Sequence, residues 1–256
     1  MARFKVGVQL EPQHCSVADL RQAWRELDAL GVDSIWTWDH FFPLHGDPDG
    51  AHFEGWTLLT AAACDTERAA LGILVSCNSY RSPDLLADIA RTADHVSGGR
   101  MILGIGAGWF DRDYEEYGFA FGTEATRVAA LGEALPRLKA RLAKLNPPPM
   151  GAMPICIGAE GERVILRRVA EHADIWNGFT PVEKFAHKNG VLDGWCERVG
   201  RDPAAIERSV TLVSSEDPDR IEEIVAAGAQ HLIQPLGAPF NLGPVERLLA
   251  QATAGG

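Results

Sequence analysis

Four short segments carry residues whose types and spacing could do chemistry. In Trp36-Thr37-Trp38-Asp39-His40-Phe41-Phe42-Pro43 a carboxylate and an imidazole stand side by side among bulky aromatics. An imidazole in such a place can donate to a ring carbonyl or shuttle a proton near neutral pH. Equally, Asp39 can cap the loop and His40 can be a satisfied, partly buried histidine. Leu74-Val75-Ser76-Cys77-Asn78-Ser79-Tyr80-Arg81-Ser82-Pro83 offers small polar groups and a guanidinium to a heterocycle edge or a phosphate. Composition alone favours the plainer reading there, with Ser82 as a helix cap and Arg81 as a solvated side chain. Gly104-Ile105-Gly106-Ala107-Gly108-Trp109 invites close approach of a ligand to the backbone. It matches a dinucleotide fingerprint only in part and precedes a loop-like stretch rather than a helix, so a Rossmann site is rejected. Ile157-Gly158-Ala159-Glu160-Gly161-Glu162-Arg163 runs into a helix, and its backbone amides, with Arg163 and Arg167 nearby, could take a phosphate. Against this, Glu160 and Glu162 satisfy the helix dipole by themselves.

The elements that must position these segments alternate along the whole chain. Strands are predicted at Phe4–Leu10, Asp33–Trp38, Ala70–Cys77, Met101–Ile105, Pro154–Ile157, Asp174–Asn177, Val210–Ser214 and His231–Gln234. Helical patterns fall between them. The first opens at Ser16 with Asp19 as a capping-box partner and stops at Gly31. The third has Ser82 as N-cap, Pro83 at its first position and Ser97-Gly98-Gly99 as its end. Further helices are expected over 54–64, 124–145 and 161–172, after Thr180-Pro181, after Asp217-Pro218 and from Pro244. Residues 109–122 read as a polar, aromatic loop. Strict alternation implies a parallel sheet, and eight units close into a barrel more readily than they lie in an open doubly wound sheet. The expectation is an α/β chain, one (β/α)8 TIM-barrel domain over 1–256. In that fold, catalytic groups follow the strands, and all four segments do so.

Composition removes several function classes. Hydrophobic residues make up 46% of the 256 residues and charged ones 23%, ordinary for a full globular core. A formal net charge of −11 disfavours nucleic-acid partners. No apolar run is long enough for a membrane span, and Met1 to Lys5 show no signal-peptide core. Five scattered cysteines without a CxxC pair argue against a disulfide framework or structural zinc, and for a cytoplasmic location. His40, His45 and His52 share a loop but not the spacing of a standard metal site, and no HExxH or GxSxG motif is present. No metal is expected.

The four segments in this order resemble the luciferase-like monooxygenase superfamily, and its branch that uses the deazaflavin coenzyme F420. The resemblance is carried by WTWDHF (36–41), TERAALGILVSCNSYRSPDLLADIARTADHVSGGRMILGIGAGW (66–109), ICIGAEGERVILRRVAEHADIWN (155–177) and HLIQPLGAPFNLGPVERLL (231–249). It implies an oxidoreductase passing a hydride between F420 and a small organic substrate, with the cofactor ring over the C-terminal strand ends. Asp39 and His40 would lie beside the ring, with His40 the catalytic acid. A non-proline cis peptide at Leu74–Val75, next to Cys77, would support the ring from behind. The backbone at Gly106, Ala107 and Gly108 and at Gly158, Ala159, Gly161 and Glu162 would bind the ribityl and phosphate side. Homodimers are frequent in this superfamily, so a homodimer is the associated expectation.

Two features depart from the branch. Trp109 stands where some members carry a proton-donating glutamate, leaving His40 as the one nameable acid. A short connection, Leu145-Asn146-Pro147-Pro148-Pro149, joins the fourth helix to the fifth strand where many relatives carry a longer segment that covers the site. Two alternatives keep the fold: an FMN-dependent monooxygenase that activates oxygen, and an F420-binding protein with little turnover. A metal-dependent hydrolase is disfavoured for want of ligands. Trp38, Phe41, Phe42, Trp109, Phe110 and Trp176 suggest an aromatic pocket, although such residues fill cores just as often.

Overall fold

Period-two apolar runs separated by capped amphipathic helices give, in a computed structural model describing residues 2–214 and 217–254, a closed parallel barrel. Its strands are β1 Lys5–Leu10, β2 Ser34–Thr37, β3 Ala70–Ile73, β4 Ser76–Cys77, β5 Met101–Gly106, β6 Ile155–Gly158, β7 Ile175–Phe179, β8 Glu207–Thr211 and β9 His231–Leu236. The helices are α1 Val17–Leu30, α2 Gly55–Asp65, α3 Pro83–Ser97, α4 Asp111–Tyr117, α5 Glu124–Leu142, α6 Ile165–His172, α7 Val182–Val199, α8 Ile221–Ala226 and α9 Gly243–Thr253. The strands follow the order β3-β2-β1-β9-β8-β7-β6-β5-β4, and a further β3–β5 pairing shuts the ring.

The predicted third strand is two pieces of one stave. Leu71 pairs with Met101, but Ser76 pairs with Ile105, so five steps on one side face four on the other. That extra residue is a bulge, and it falls at Leu74–Val75, whose peptide bond is cis as the resemblance implied. The barrel therefore has eight staves.

The helices form where their signals predict. The Ser16–Asp19 capping box opens α1 and Gly31, at φ 92°, closes it. Ser82 caps α3 with Pro83 behind it. Inside the ring, alternate residues converge: Trp36, Ile102, Cys156, Ile175 and Ile233 pack with Leu74 into a plug, separate from the larger layer between strands and helices. Gly72 makes room for it, since a Cβ there would meet the Trp36 ring at 2.4 Å.

Below the plug, at the N-terminal strand ends, lies a polar floor. Nδ1 of His231 is 2.8 Å from Glu207 and Nε2 is 2.8 Å from the Ser34 hydroxyl, while Lys5 reaches Glu207 from outside at 2.7 Å. Burial alone would raise the Glu207 carboxyl, but hydrogen bonds from His231 and Lys5 outweigh it and hold it at about 2.

Several boundaries and assignments differ from expectation. Strand β8 begins at Glu207, not Val210, because the ladder pairs Ile175 with Glu207 and Ser209 with His231. Two charged residues concealed it: Glu207 turns into the floor, and Arg208 turns out to Asn189 and Asp193. Helix α6 begins at Ile165 rather than Gly161, after a turn in which the Leu166 amide donates to the Gly161 carbonyl. Residues 217–219 form a single 3-10 turn before α8 instead of capping it directly. The stretch taken as loop contains α4, which buries Asp113 and Tyr114 and ends at Gly118, φ 69°. The connection from α5 to β6 is tied to the end of α3, where the Asp94 carboxylate accepts from the Met150 and Gly151 amides. Among the described residues no helix is long and apolar enough to cross a membrane.

Candidate active site

The mouth of the barrel, at the C-terminal strand ends, brings together the four segments singled out in the sequence. Asp39 and His40 leave β2 in opposite directions. The Asp39 carboxylate is buried and takes the Cys77 amide at 3.0 Å and both terminal nitrogens of Arg81 at 2.7 and 3.0 Å. Arg81 also reaches Glu54, the N-cap of α2, at 2.7 Å. Burial pushes the Asp39 carboxyl above its usual range, against the pull of the guanidinium and the amide. Asp39 thus bolts β2 to β4 rather than presenting its carboxylate to a ligand. Arg81, read as solvated, is the other half of that bolt; the strand-end carboxylate that captures it lies 42 residues away in sequence.

His40 faces the mouth. Its side chain is 12% exposed, and Nδ1 lies 2.7 Å from the Asp113 carboxylate, itself fully buried. The ring sits edge-on among Trp38, Trp109 and Phe110, with centroids 6.2, 5.6 and 5.5 Å away. Nε2 has no partner among the described residues.

Val75, on the bulge, is partly exposed at the centre of the mouth. Its methyl groups occupy the positions of absent side chains: a Cβ on Gly106 would lie 2.6 Å from it and one on Gly158 2.9 Å. Gly104 has no Cβ because the Ile73 carbonyl oxygen stands 1.8 Å from where it would be, and Gly108, at φ 82°, would strike Tyr114 and Cys77. These glycines are therefore explained first by the chain's own packing, not by close approach of a ligand. The partly exposed backbone at Ala107 and Gly108 flanks Val75, and Arg127 donates to the Gly108 carbonyl at 3.0 Å. Leu74 points into the plug and its carbonyl accepts from Gln9. The Cys77 thiol turns inward to the Tyr114 hydroxyl at 3.2 Å, and burial pushes its pKa up.

After β6, Gly158, Ala159 and Gly161 keep exposed or partly exposed backbone. The acidic side chains there turn away: Glu162 accepts from Lys188 at 2.6 Å and His187 at 3.0 Å, and Glu160 pairs with Lys184. Arg167 is spent on Glu171 of its own helix. Trp176 is no pocket wall; it is fully buried and stacks on Phe185 at 5.3 Å. Phe41 stacks on Tyr117 and Phe42 lies under Arg112, both at the edge of the mouth. His45 bonds Glu11 and Gln13. His52 accepts from the Trp38 indole, and burial first, then His40, lowers it to about 4. No described group of histidines, cysteines and carboxylates could hold a metal.

Sequence reasoning missed Asp113, Tyr80 and Tyr114. The acidic first turn of Asp111-Arg112-Asp113 and the closing Gly118 were signals for the helix that carries two of them. Several buried polar atoms without a partner lie around the mouth: Thr37 Oγ1, His52 Nδ1, Asn78 Oδ1 and Glu160 Oε1. A buried polar atom of this kind calls for a partner, either an ordered water or a polar ligand.

A family model described as luciferase-like monooxygenase matches residues 1–253. The chain is 29% identical to an F420-dependent glucose-6-phosphate dehydrogenase of Amycolatopsis mediterranei, over 56% of this chain and 39% of that protein. It is 28% identical to a phthiodiolone/phenolphthiodiolone dimycocerosates ketoreductase of Mycobacterium kansasii, over 82% of this chain and 71% of that one. The match to the dehydrogenase thus spans well under half of that relative's length. Among solved structures, an F420-dependent secondary alcohol dehydrogenase bound to an F420-acetone adduct superposes with TM-score 0.84 at 14% identity, covering 97% of this chain and 98% of that one. An FMN-bound oxygenating subunit of 3,6-diketocamphane monooxygenase from Pseudomonas putida superposes at 0.65 and 15% identity, covering 82% and 67%. These likenesses establish the fold, and with the family match over residues 1–253 the chain belongs to the luciferase-like monooxygenase family.

Proposed function

We propose that this chain is an F420-linked oxidoreductase that moves a hydride between the deazaflavin and a small organic carbonyl or alcohol. The observation that carries this reading is His40, bound through Nδ1 and open at Nε2, at the same end of the barrel as a bulge that leaves Val75 partly exposed. The relatives and solved structures named for F420 support the choice of cofactor. The orphaned oxygen of Asn78 and the partly exposed residues 107–108 and 158–162 suit a large polar heterocycle with a phosphate tail.

When bound, F420 supplies the two-electron hydride chemistry. The chain's own residues do the rest. Val75 and the Leu74 backbone would support the ring, and the amides of residues 106–108 and 158–162 would hold the ribityl and phosphate side. Asp39 acts indirectly, fixing the backbone from which His40 projects. Trp38, Trp109 and Phe110 exclude water from the reacting groups. His40 Nε2 gives a proton to the substrate oxygen when a carbonyl is reduced and takes one when an alcohol is oxidised. With Trp109 in the place of a glutamate, no carboxylate at that position shares the task.

Titration of the purified protein with oxidised and reduced F420, followed by absorbance and fluorescence, is expected to give micromolar binding. FMN in the parallel titration is expected to bind more weakly. Absence of F420 binding defeats the proposal, and tighter binding of FMN moves the chain to the oxygen-activating members of the family. Tight F420 binding with no oxidation or reduction across a broad panel of alcohols and carbonyls would make it a cofactor carrier.

A further inference from the structure

We infer that Asp113, supported by Tyr80, is the positioning residue that fixes the protonation geometry of His40. The inference rests on the reading of His40 as acid and base. Asp113 lies on α4 and is 0% exposed. Its carboxylate is close to three groups: the Phe41 amide at 3.0 Å, the Tyr80 hydroxyl at 2.8 Å and His40 Nδ1 at 2.7 Å.

The first of these can only donate. Tyr80 also donates, since burial pushes its phenol far above the usual range and keeps it an O–H. A carboxylate receiving one such bond on each oxygen is held in one orientation, and the second lone pair of the oxygen that takes Tyr80 points at His40. An ionised carboxylate has no proton to give, so Nδ1 must carry one. Neutral His40 is thereby the Nδ1–H tautomer, with a lone pair at Nε2 facing the mouth. Protonated, it offers an Nε2–H donor while its new charge lies against a buried anion. Both states needed for proton transfer place the active nitrogen on the substrate side. The aromatic edges of Trp109 and Phe110 hold the ring in plane but cannot choose between its nitrogens.

An amide in place of the carboxylate reverses this. In Asp113→Asn the amide oxygen takes the Phe41 N–H, which can only donate; the NH2 then gives one hydrogen to the Tyr80 oxygen, whose hydroxyl turns to accept it, and its other hydrogen faces Nδ1 and demands a lone pair there. The proton moves to Nε2, and the base is lost with the packing nearly unchanged. The same logic governs the buried aspartate of serine proteases, where the asparagine variant keeps the geometry but leaves the histidine in the wrong tautomer.

The test begins with nitrogen NMR of selectively labelled histidine in the protein without cofactor, with His40→Gln assigning the signal. The expected spectrum of neutral wild-type His40 is the Nδ1–H form, and Asp113→Asn is expected to give the Nε2–H form. In turnover, Asp113→Asn is expected to lower kcat about 100-fold and to change its pH profile, within the range for a general acid–base group. The KM and the F420 dissociation constant should stay within about threefold. Tyr80→Phe should cost about three- to tenfold in kcat and leave the tautomer as in wild type. An Nε2–H wild-type histidine overturns the inference even where Asp113→Asn fails to fold. Wild-type kcat in a folded Asp113→Asn that binds cofactor overturns it too. If the wild-type protein binds no F420, the proposed function fails separately, and the tautomer measurement still decides the role of Asp113.

Discussion

The barrel holds two histidine–carboxylate pairs, one at each end. At the floor, His231 lies 2.8 Å from Glu207; at the mouth, His40 lies 2.7 Å from Asp113. The floor histidine spends its second nitrogen on Ser34 and is 2% exposed beneath Trp36. The mouth histidine keeps its second nitrogen. One pair is finished as a hydrogen-bond circuit and joins three strands, while the other keeps one ring nitrogen without a partner among the described residues. The difference lies in which bonds remain unmade, since the residue types are alike. It agrees with the general division of this fold into a stabilising end and a reactive end.

Removing each histidine gives the widest separation between the two ends. His231→Ala strips partners from the partly exposed Glu207 carboxylate and the buried Ser34 hydroxyl and leaves a cavity, so a loss of about 3 kcal/mol in urea unfolding is expected. His40→Ala takes one of three partners from the buried Asp113 carboxylate, so a loss of about 2 kcal/mol is expected, together with a fall in kcat of at least about 100-fold that a folded His231→Ala should not share. Wild-type kcat in His40→Ala, or an equal loss of kcat in His231→Ala, would erase the distinction.

Acid titration probes the floor next. The Glu207 carboxyl is held at about 2, below its ordinary 4.5, so its contribution to stability is present above about pH 4.5 and drains away as pH falls toward 2. The loss should amount to about 2 kcal/mol after allowance for its partial exposure. Glu207→Gln should flatten the slope of unfolding free energy in that window, and a slope unchanged by the substitution would assign the acid sensitivity elsewhere.

A smaller effect is expected from crowding the mouth. Gly106→Ala sets a Cβ against Val75, whose methyl group must yield, and should weaken F420 binding about tenfold with a stability cost near 1 kcal/mol. Val75→Ala introduced alongside it should restore part of the stability but not the affinity, as read by calorimetry and cofactor titration. The least disturbance belongs to Trp109, 62% exposed. Trp109→Ala should move stability by no more than about 0.5 kcal/mol, and its effect should appear in the KM for substrate instead. A larger shift in the melting curve would make Trp109 a structural residue.

Much of this architecture was legible in the chain as written. Capping serines, closing glycines and alternating apolar runs are local signals, and they placed the staves and most of the helices. The cis bond at Leu74–Val75 came from resemblance rather than from any local pattern. Where local signals misled, a distant partner had changed the meaning of a residue. Glu207 and Arg208 look unlike strand residues until His231, Asn189 and Asp193 satisfy them. Arg81 looks like surface until Asp39 takes it in both hands of its fork.

The sequence alone determined the alternation of strand and helix, hence the barrel and the end that carries the candidate site, because apolar period and capping act over a few neighbouring residues. Tertiary structure decided which member of Asp39-His40 turns to the mouth, which glycines serve Val75 rather than a ligand, and that Asp113 stands behind the imidazole. Those choices depend on hydrogen bonds and contacts between residues tens of positions apart. No short window of sequence contains both partners, so only closure of the ring could bring them within reach.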